Sequence, residues 1–97
     1  MPAYVIVDVT VTDPVLYEQY KKLTPGSIAP YGGKFIVRGG ATETLEGDWH
    51  PQRIVVLEFP DMENAKTWYN SDAYRAAREI RWNASTGRIL LVEGFDG

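Results

Sequence analysis

The sequence predicts an α+β domain with the ferredoxin-like order βαββαβ, in which two helical regions lie on one face of a four-stranded antiparallel sheet. Three observations carry this. Four short segments, "AYVIVDVTV", "KFIVRG", "RIVVLEF" and "RILLVEGF", are dense in β-branched and aliphatic residues. Two longer segments alternate with them and show helical spacing behind capping residues. Turn signals divide the 97 residues into six elements without a repeat or linker, so residues 1–97 read as a single domain.

The first strand spans Ala3 to Val11. "TDP" follows, supplying Asp13 as N-cap and Pro14 at the first helical position, where a missing N–H costs nothing. Leu16, Tyr20 and Leu23 form the apolar stripe expected of that helix, with Glu18 four residues before Lys22. Thr24-Pro25 repeats the cap-plus-proline signal, which predicts a break and restart before the helix ends at Gly32-Gly33, one glycine being left-handed. "KFIVRG" is the second strand. A loop from Gly39 to Gln52, extended in part, leads to the third strand, "RIVVLEF". The second helical region starts at Asp61, is capped again by Ser71, and should turn Ala65, Trp68, Tyr69, Ala73, Ala76 or Ala77, and Ile80 inward. Gly87 then precedes the last strand, "RILLVEGF".

The third and fourth strands are almost continuously apolar, whereas a strand with one wet face should alternate. Parity places Val5, Val7, Val9, Phe35, Val37, Val55, Leu57, Phe59, Leu90 and Val92 under the helices. It turns Tyr4, Ile6, Ile36, Ile54, Val56, Ile89 and Leu91 the other way, among Asp8, Arg38, Glu58 and Glu93. Burying one such side chain is worth roughly 1.5–3 kcal/mol. A second sheet is the natural cover, so the expected partner is another copy of the chain in a two-fold, face-to-face homodimer.

Composition excludes several classes. The absence of cysteine removes thiol nucleophiles, disulfides and thiolate metal sites and fits a reducing, cytoplasmic setting. Net charge is −3 with no basic cluster, which argues against nucleic acid and anionic membranes as partners. "RIVVLEF" also lacks the glycine–aromatic motif of RNA-recognition sheets, which share this element order. The opening "MPAYVIVDVTVT" has no basic leader and reads as a strand, not a signal or membrane span. The Gly32-Gly33 and Gly39-Gly40 pairs belong to no phosphate-loop pattern.

"YGGKFIVRGG", "LEGDWHPQRIVVLEFPD" and "WYNSDAYRAAREIR" together resemble the signatures of domain of unknown function 1330, over Tyr4 to Gly94. Asp72 stands where that family often has proline, a conservative departure in a first helical turn. The resemblance implies a dimeric α/β barrel of ferredoxin-like chains. Relatives in that superfamily include cofactor-free monooxygenases of polyketide quinols, haem-dependent enzymes and simple ligand-binding proteins, so it implies no single chemistry.

Three candidate sites emerge. His50, the only histidine, has Asp48 and Glu46 nearby as orienting partners for a general base. It lies between Gly47 and Pro51, however, and the reading we favour is an exposed loop histidine beside Trp49, an apolar anchor for the partner subunit. A metal site or an axial haem ligand is the poorer alternative. The second set, Asn64, Trp68, Tyr74 and Arg88, resembles the pocket of the cofactor-free monooxygenases. That resemblance implies that Arg88, of helix-face parity, faces a phenolate, that Asn64 and Tyr74 bond its oxygens, and that Trp68 lines an apolar chamber. The plainer reading makes Trp68 and Tyr74 core, Asn64 a first-turn residue and Arg88 solvated. The third set, Asp8, Arg38 and Glu58, reads either as a ligand-binding charged patch or as a cross-strand ion pair, and we favour the pair. The expected function is binding or converting a small, partly aromatic or quinone-like molecule with no tightly bound cofactor. A non-catalytic ligand-binding or interaction dimer is the alternative.

Overall fold

The computed structural model describes residues 1–95. Strand β1 (Ala3–Val11) is followed by α1 (Pro14–Ile28), a 3-10 turn (Ala29–Tyr31), β2 (Lys34–Arg38) and β3 (Arg53–Phe59). Then come α2 (Met62–Tyr69), α3 (Asp72–Ala84) and β4 (Ser85–Glu93). The sheet order is β2-β3-β1-β4, every neighbour antiparallel. This is the α+β, ferredoxin-like architecture that the element order predicts.

The expected caps form. Asp13 accepts from the Leu16 N–H, Asp61 from Asn64 and Ser71 from Tyr74. Gly32 takes the left-handed conformation with φ 74°. No regular element interrupts residues 39–52.

Helix α1 differs from expectation at Pro25, where it continues without a break. A proline inside a helix orphans the carbonyl four residues earlier. Here that carbonyl belongs to Lys21, and the Arg38 guanidinium donates to it at 2.8 Å. The buried stripe of α1 is Tyr17, Tyr20, Thr24, Ser27 and Ile28, while Leu23 is 47% exposed. The phase set by Leu16 and Leu23 is therefore corrected by one position toward the tyrosines. In α3, Tyr74 and Ala77 are buried and Ala73 and Ala76 exposed, because the interruption at residues 70–71 resets the helical phase.

Two strand parities are also corrected. Val5 and Val7 are buried under the helices, and they stand opposite Leu91 and Ile89 of β4. Ile89 and Leu91 thus face the helices, and Leu90 and Val92, opposite Ile6 and Tyr4, face outward. The strand is apolar at nearly every position, so alternation alone does not distinguish its faces. Gly87 lies within β4 opposite Val9, where a β-carbon would come within 2.4 Å of the Asp8 carbonyl oxygen. In β2 an irregularity between Phe35 and Val37 shifts the register, leaving Phe35 and Arg38 on the helix face with Leu57 and Val55. Val37 pairs with Val56 on the other face.

The core is Val5, Val7, Val9, Val55, Leu57 and Phe59 of the sheet against Tyr17, Tyr20, Ile28, Trp68, Tyr74 and Ala77 of the helices. On the far side of the sheet Leu90 is 61% exposed and Ile36 50% exposed. No helix covers that face among the described residues.

Candidate functional site

Trp68 is the hinge of the site because α2 crosses β1 and β4 and delivers the indole to the middle of the aromatic core. Its ring lies 4.1 Å from that of Tyr74 and 5.1 Å from that of Phe59. The indole N–H donates to Ser27 Oγ at 3.1 Å, so its polar atom is satisfied inside the core. Trp68 separates two hollows on the helix face. The first is a cleft of about 200 Å³ between α2 and the β1–β4 edge, walled by Val5, Ala65, Trp68, Tyr69, Ile89 and Leu91, with Lys66 and Asn70 at its rim. The second is a recess of about 20 Å³ beneath α1, floored by Tyr17, Phe35 and Leu57 and bordered by Arg38 and Arg53.

Tyr74 reaches neither hollow. It is fully buried, and its hydroxyl shares a 2.9 Å hydrogen bond with that of Tyr20. Burial, then the neighbouring Tyr74 charge and hydrogen bond, raise the Tyr20 phenol far above its ordinary value. The sign follows from linkage: the unfolded phenol ionises near about pH 10 while the folded one stays protonated, so unfolding releases a proton above that pH. This contribution is intact below about pH 10 and falls by about 1.4 kcal/mol per pH unit above it. Urea midpoints across the alkaline range should fall less steeply in Tyr20→Phe than in wild type. Parallel declines would show that the buried phenol contributes nothing to the pH dependence.

The remaining sequence candidates are dispersed. Asn64 donates its backbone N–H and its amide to the Asp61 carboxylate at 2.7 and 2.9 Å, holding that carboxyl below its usual range. It is the first-turn residue of the plainer reading. Arg88 does not face the helices, which corrects its parity. It stands opposite Asp8 on the open face and donates to Asp8 Oδ2 from Nε at 3.3 Å and Nη2 at 3.2 Å. Trp49 Nε1 donates to the same oxygen at 2.9 Å, which draws the 39–52 loop onto the open face beside Ile6 and Leu90. Arg38 likewise leaves the set it was placed in, because the β2 irregularity turns it to the helix side; Glu58 instead takes Lys34 at 3.0 Å and Tyr4 at 3.3 Å.

His50 is an exposed loop residue. Asp48 Oδ1 is 3.7 Å from its Nε2 and Thr44 Oγ1 is 3.4 Å from its Nδ1, contacts too loose and too wet to orient a base. Among the described residues no group of three or more His, Asp or Glu side chains is placed to hold a metal ion.

Of the monooxygenase-like set, then, Trp68 and Tyr74 meet, Asn64 is bound to the Asp61 cap of α2 and Arg88 lies across the sheet. The residues missed from sequence are Lys66, Asn70, Ile89 and Leu91 at the cleft and Arg53 at the recess. One signal was available for β4: an antiparallel neighbour of β1 puts Arg88 across from Asp8 if the two charges share a face, and that alone sets the strand's parity.

The chain resembles known proteins over nearly its whole length. The family model "Domain of unknown function (DUF1330)" matches residues 2–95. A solved protein of unknown function from Rhodopseudomonas palustris is similar with a TM-score of 0.78 and 18% identity, over 99% of this chain and 84% of that one. SnoaB, a cofactor-independent oxygenase from Streptomyces nogalater, is similar with a TM-score of 0.66 and 15% identity, over 99% and 95% of the two chains. A conserved protein from Methanosarcina mazei Go1 gives 0.59 and 16%, over 98% and 94%. At such identities the likeness carries the fold alone. No curated protein matches the sequence.

Proposed function

We propose, for a chain that belongs to the Domain of unknown function (DUF1330) family, a homodimer that binds a small, partly aromatic molecule in the cleft between α2 and β4, without a tightly held cofactor. The observation that carries this is the cleft itself: apolar walls converging on Trp68, with a cation and an amide at the mouth. Its size, about 200 Å³, lies below the drug-sized range of about 300–1,000 Å³. It therefore suits a single ring with one polar substituent, the ring against Trp68 and Leu91 and the substituent toward Lys66 and Asn70.

Conversion of that molecule, as in a cofactor-independent oxygenase or isomerase, is the second reading. It draws support from the fold shared with SnoaB. Against it, the Trp68 N–H is already donated to Ser27, and Tyr74 is fully buried and lines neither hollow, so neither presents a proton donor to a ligand. Arg88 is tied to Asp8 beyond the sheet. In the catalytic version the ligand supplies its own reactivity and the cleft excludes water.

The dimer rests on the open face. Ile6, Ile36, Leu90 and Val92 lie there, and burying each is worth roughly 1.5–3 kcal/mol. A second copy offers the same apolar face by two-fold symmetry. A cytoplasmic location accords with the cysteine-free composition, and no helix among the described residues is long and apolar enough to cross a membrane.

A thermal-shift panel of p-cresol, benzamide and benzoate tests the ligand reading, and oxygen uptake by any binder separates turnover from binding. At least one ring compound should raise the midpoint of wild type, and Leu91→Trp, which fills the cleft, should abolish the rise. A flat response across the panel, or equal shifts in wild type and Leu91→Trp, removes the cleft as the site.

A further inference from the structure

We propose that the recess beneath α1 is a second, separate site, which takes the carboxylate group of a small organic acid between Arg38 and Arg53. Three features lead there. Both guanidinium groups border one recess whose floor is Tyr17, Phe35 and Leu57. Neither lies within ion-pair distance of a carboxylate among the described residues, although the chain carries 13 acidic residues against 10 basic ones. And Arg53 Nε, like those of Arg78 and Arg81, is buried with no hydrogen-bond partner, and of these three arginines Arg53 is the one that borders the recess.

The local backbone is arranged around these two side chains. Arg38 is held by the Lys21 carbonyl that Pro25 leaves unbonded, at 2.8 Å, and its guanidinium lies 4.2 Å from the centre of the Phe35 ring. Arg53 lies 5.6 Å from the centre of the Tyr17 ring and packs against Gly39, where a β-carbon would come 2.3 Å from its Nη1. A larger residue at position 39 would displace the guanidinium. Lys21 also lines the recess and is joined to Glu18 at 3.0 Å. The Lys21 hydrogen bond and charge, and more weakly the charges of Lys22 and Arg53, hold the Glu18 carboxyl below its ordinary value, but its ion pair is with the lysine.

Volume selects the ligand. A site needs about 10–15 Å³ to hold one water, and the recess has about 20 Å³. One small group fits and a ring does not. A guanidinium presents parallel donors that match the two coplanar oxygens of a carboxylate, which a spherical ion cannot use equally well. The ligand class is thus a short-chain monocarboxylate, or the carboxylate end of a longer acid whose body lies in solvent.

Titration of butyrate into the full chain, followed by the Nε–Hε signals of arginine side chains, tests this. Butyramide is the neutral isostere, sodium chloride at equal ionic strength is the control for ion screening, and octanoate reports whether a longer body is tolerated. Saturable shifts of the Arg38 and Arg53 signals with butyrate, absent with butyramide and chloride, are expected. Arg53→Gln should weaken the butyrate affinity by about tenfold or more, and Arg53→Lys should recover it only in part because the fork is lost. Leu91→Trp, which fills the other cleft, should leave it unchanged, so this site and the ring-binding cleft can fail independently. Equal shifts with butyramide or chloride, or unaltered affinity in Arg53→Lys, would overturn the assignment. Both results can be read even if Arg53→Gln does not fold.

Discussion

Trp68→Ala should destabilise the domain by about 3–5 kcal/mol, the range for emptying a buried aromatic site. At this chain length each kcal/mol corresponds to about 4–8 °C in Tm, so the midpoint should fall by well over about 10 °C. The size of the effect follows from position. Trp68 is 1% exposed and touches the rings of Phe59, Tyr69 and Tyr74 at once. The hole left would join the α1 recess to the α2–β4 cleft, since the indole lines both, and Ser27 would lose the donor at its hydroxyl oxygen. Trp68→Phe keeps most of the packing and should lose only about 1–2 kcal/mol, chiefly the indole hydrogen bond and part of the ring. Urea melts of the two variants should differ accordingly. Similar midpoints for Trp68→Ala and wild type would mean that the aromatic cluster does not organise the core.

Ile6→Asp combined with Leu90→Asp should convert the proposed dimer into a monomer without unfolding it. The two residues are neighbours across β1 and β4 on the face turned away from the helices. Each occurs twice in a two-fold assembly, so four apolar side chains become four charges. Even the lower figure of about 1.5 kcal/mol per side chain gives about 6 kcal/mol, more than the roughly 4 kcal/mol that separates a thousandfold change in Kd. Light scattering after size exclusion reads the mass, and far-ultraviolet circular dichroism checks that the fold persists. Val15→Asp, on the exposed side of α1, is the control and should leave the assembly intact. If the double variant kept the wild-type mass, the open face would not be the contact.

The order of elements, the caps and the loop were legible in the sequence because each has a local cause. Asp13, Asp61 and Ser71 announce helix starts by what a short polar side chain does to an unpaired N–H, and Gly32 announces a left-handed turn. The faces were less legible. Parity along β4 fails because the two charged residues of "RILLVEG", Arg88 and Glu93, fall on opposite faces with only apolar residues between them, and parity along β2 fails because nothing in "KFIVRG" marks an inserted residue. Both errors displaced an arginine: Arg88 went to the open face and Arg38 to the recess. The continuity of α1 through Pro25 depends on a donor that arrives from β2, a contact without local signature. The candidate site was legible to the extent that aromatic residues at helical spacing imply a packed wall. Trp68 and Tyr74 do pack together, but the charges and the hollow beside them arise from pairings between distant strands.

The most direct test of the ring-binding cleft is methyl NMR of the wild-type chain titrated with p-cresol or benzoate. Saturable shifts should concentrate on the methyls of Val5, Ala65, Ile89 and Leu91, which wall the cleft, while those of Ile6 and Leu90 across the sheet stay in place. Shifts centred instead on Ile6 and Leu90, or none at ligand concentrations near solubility, would contradict the cleft assignment.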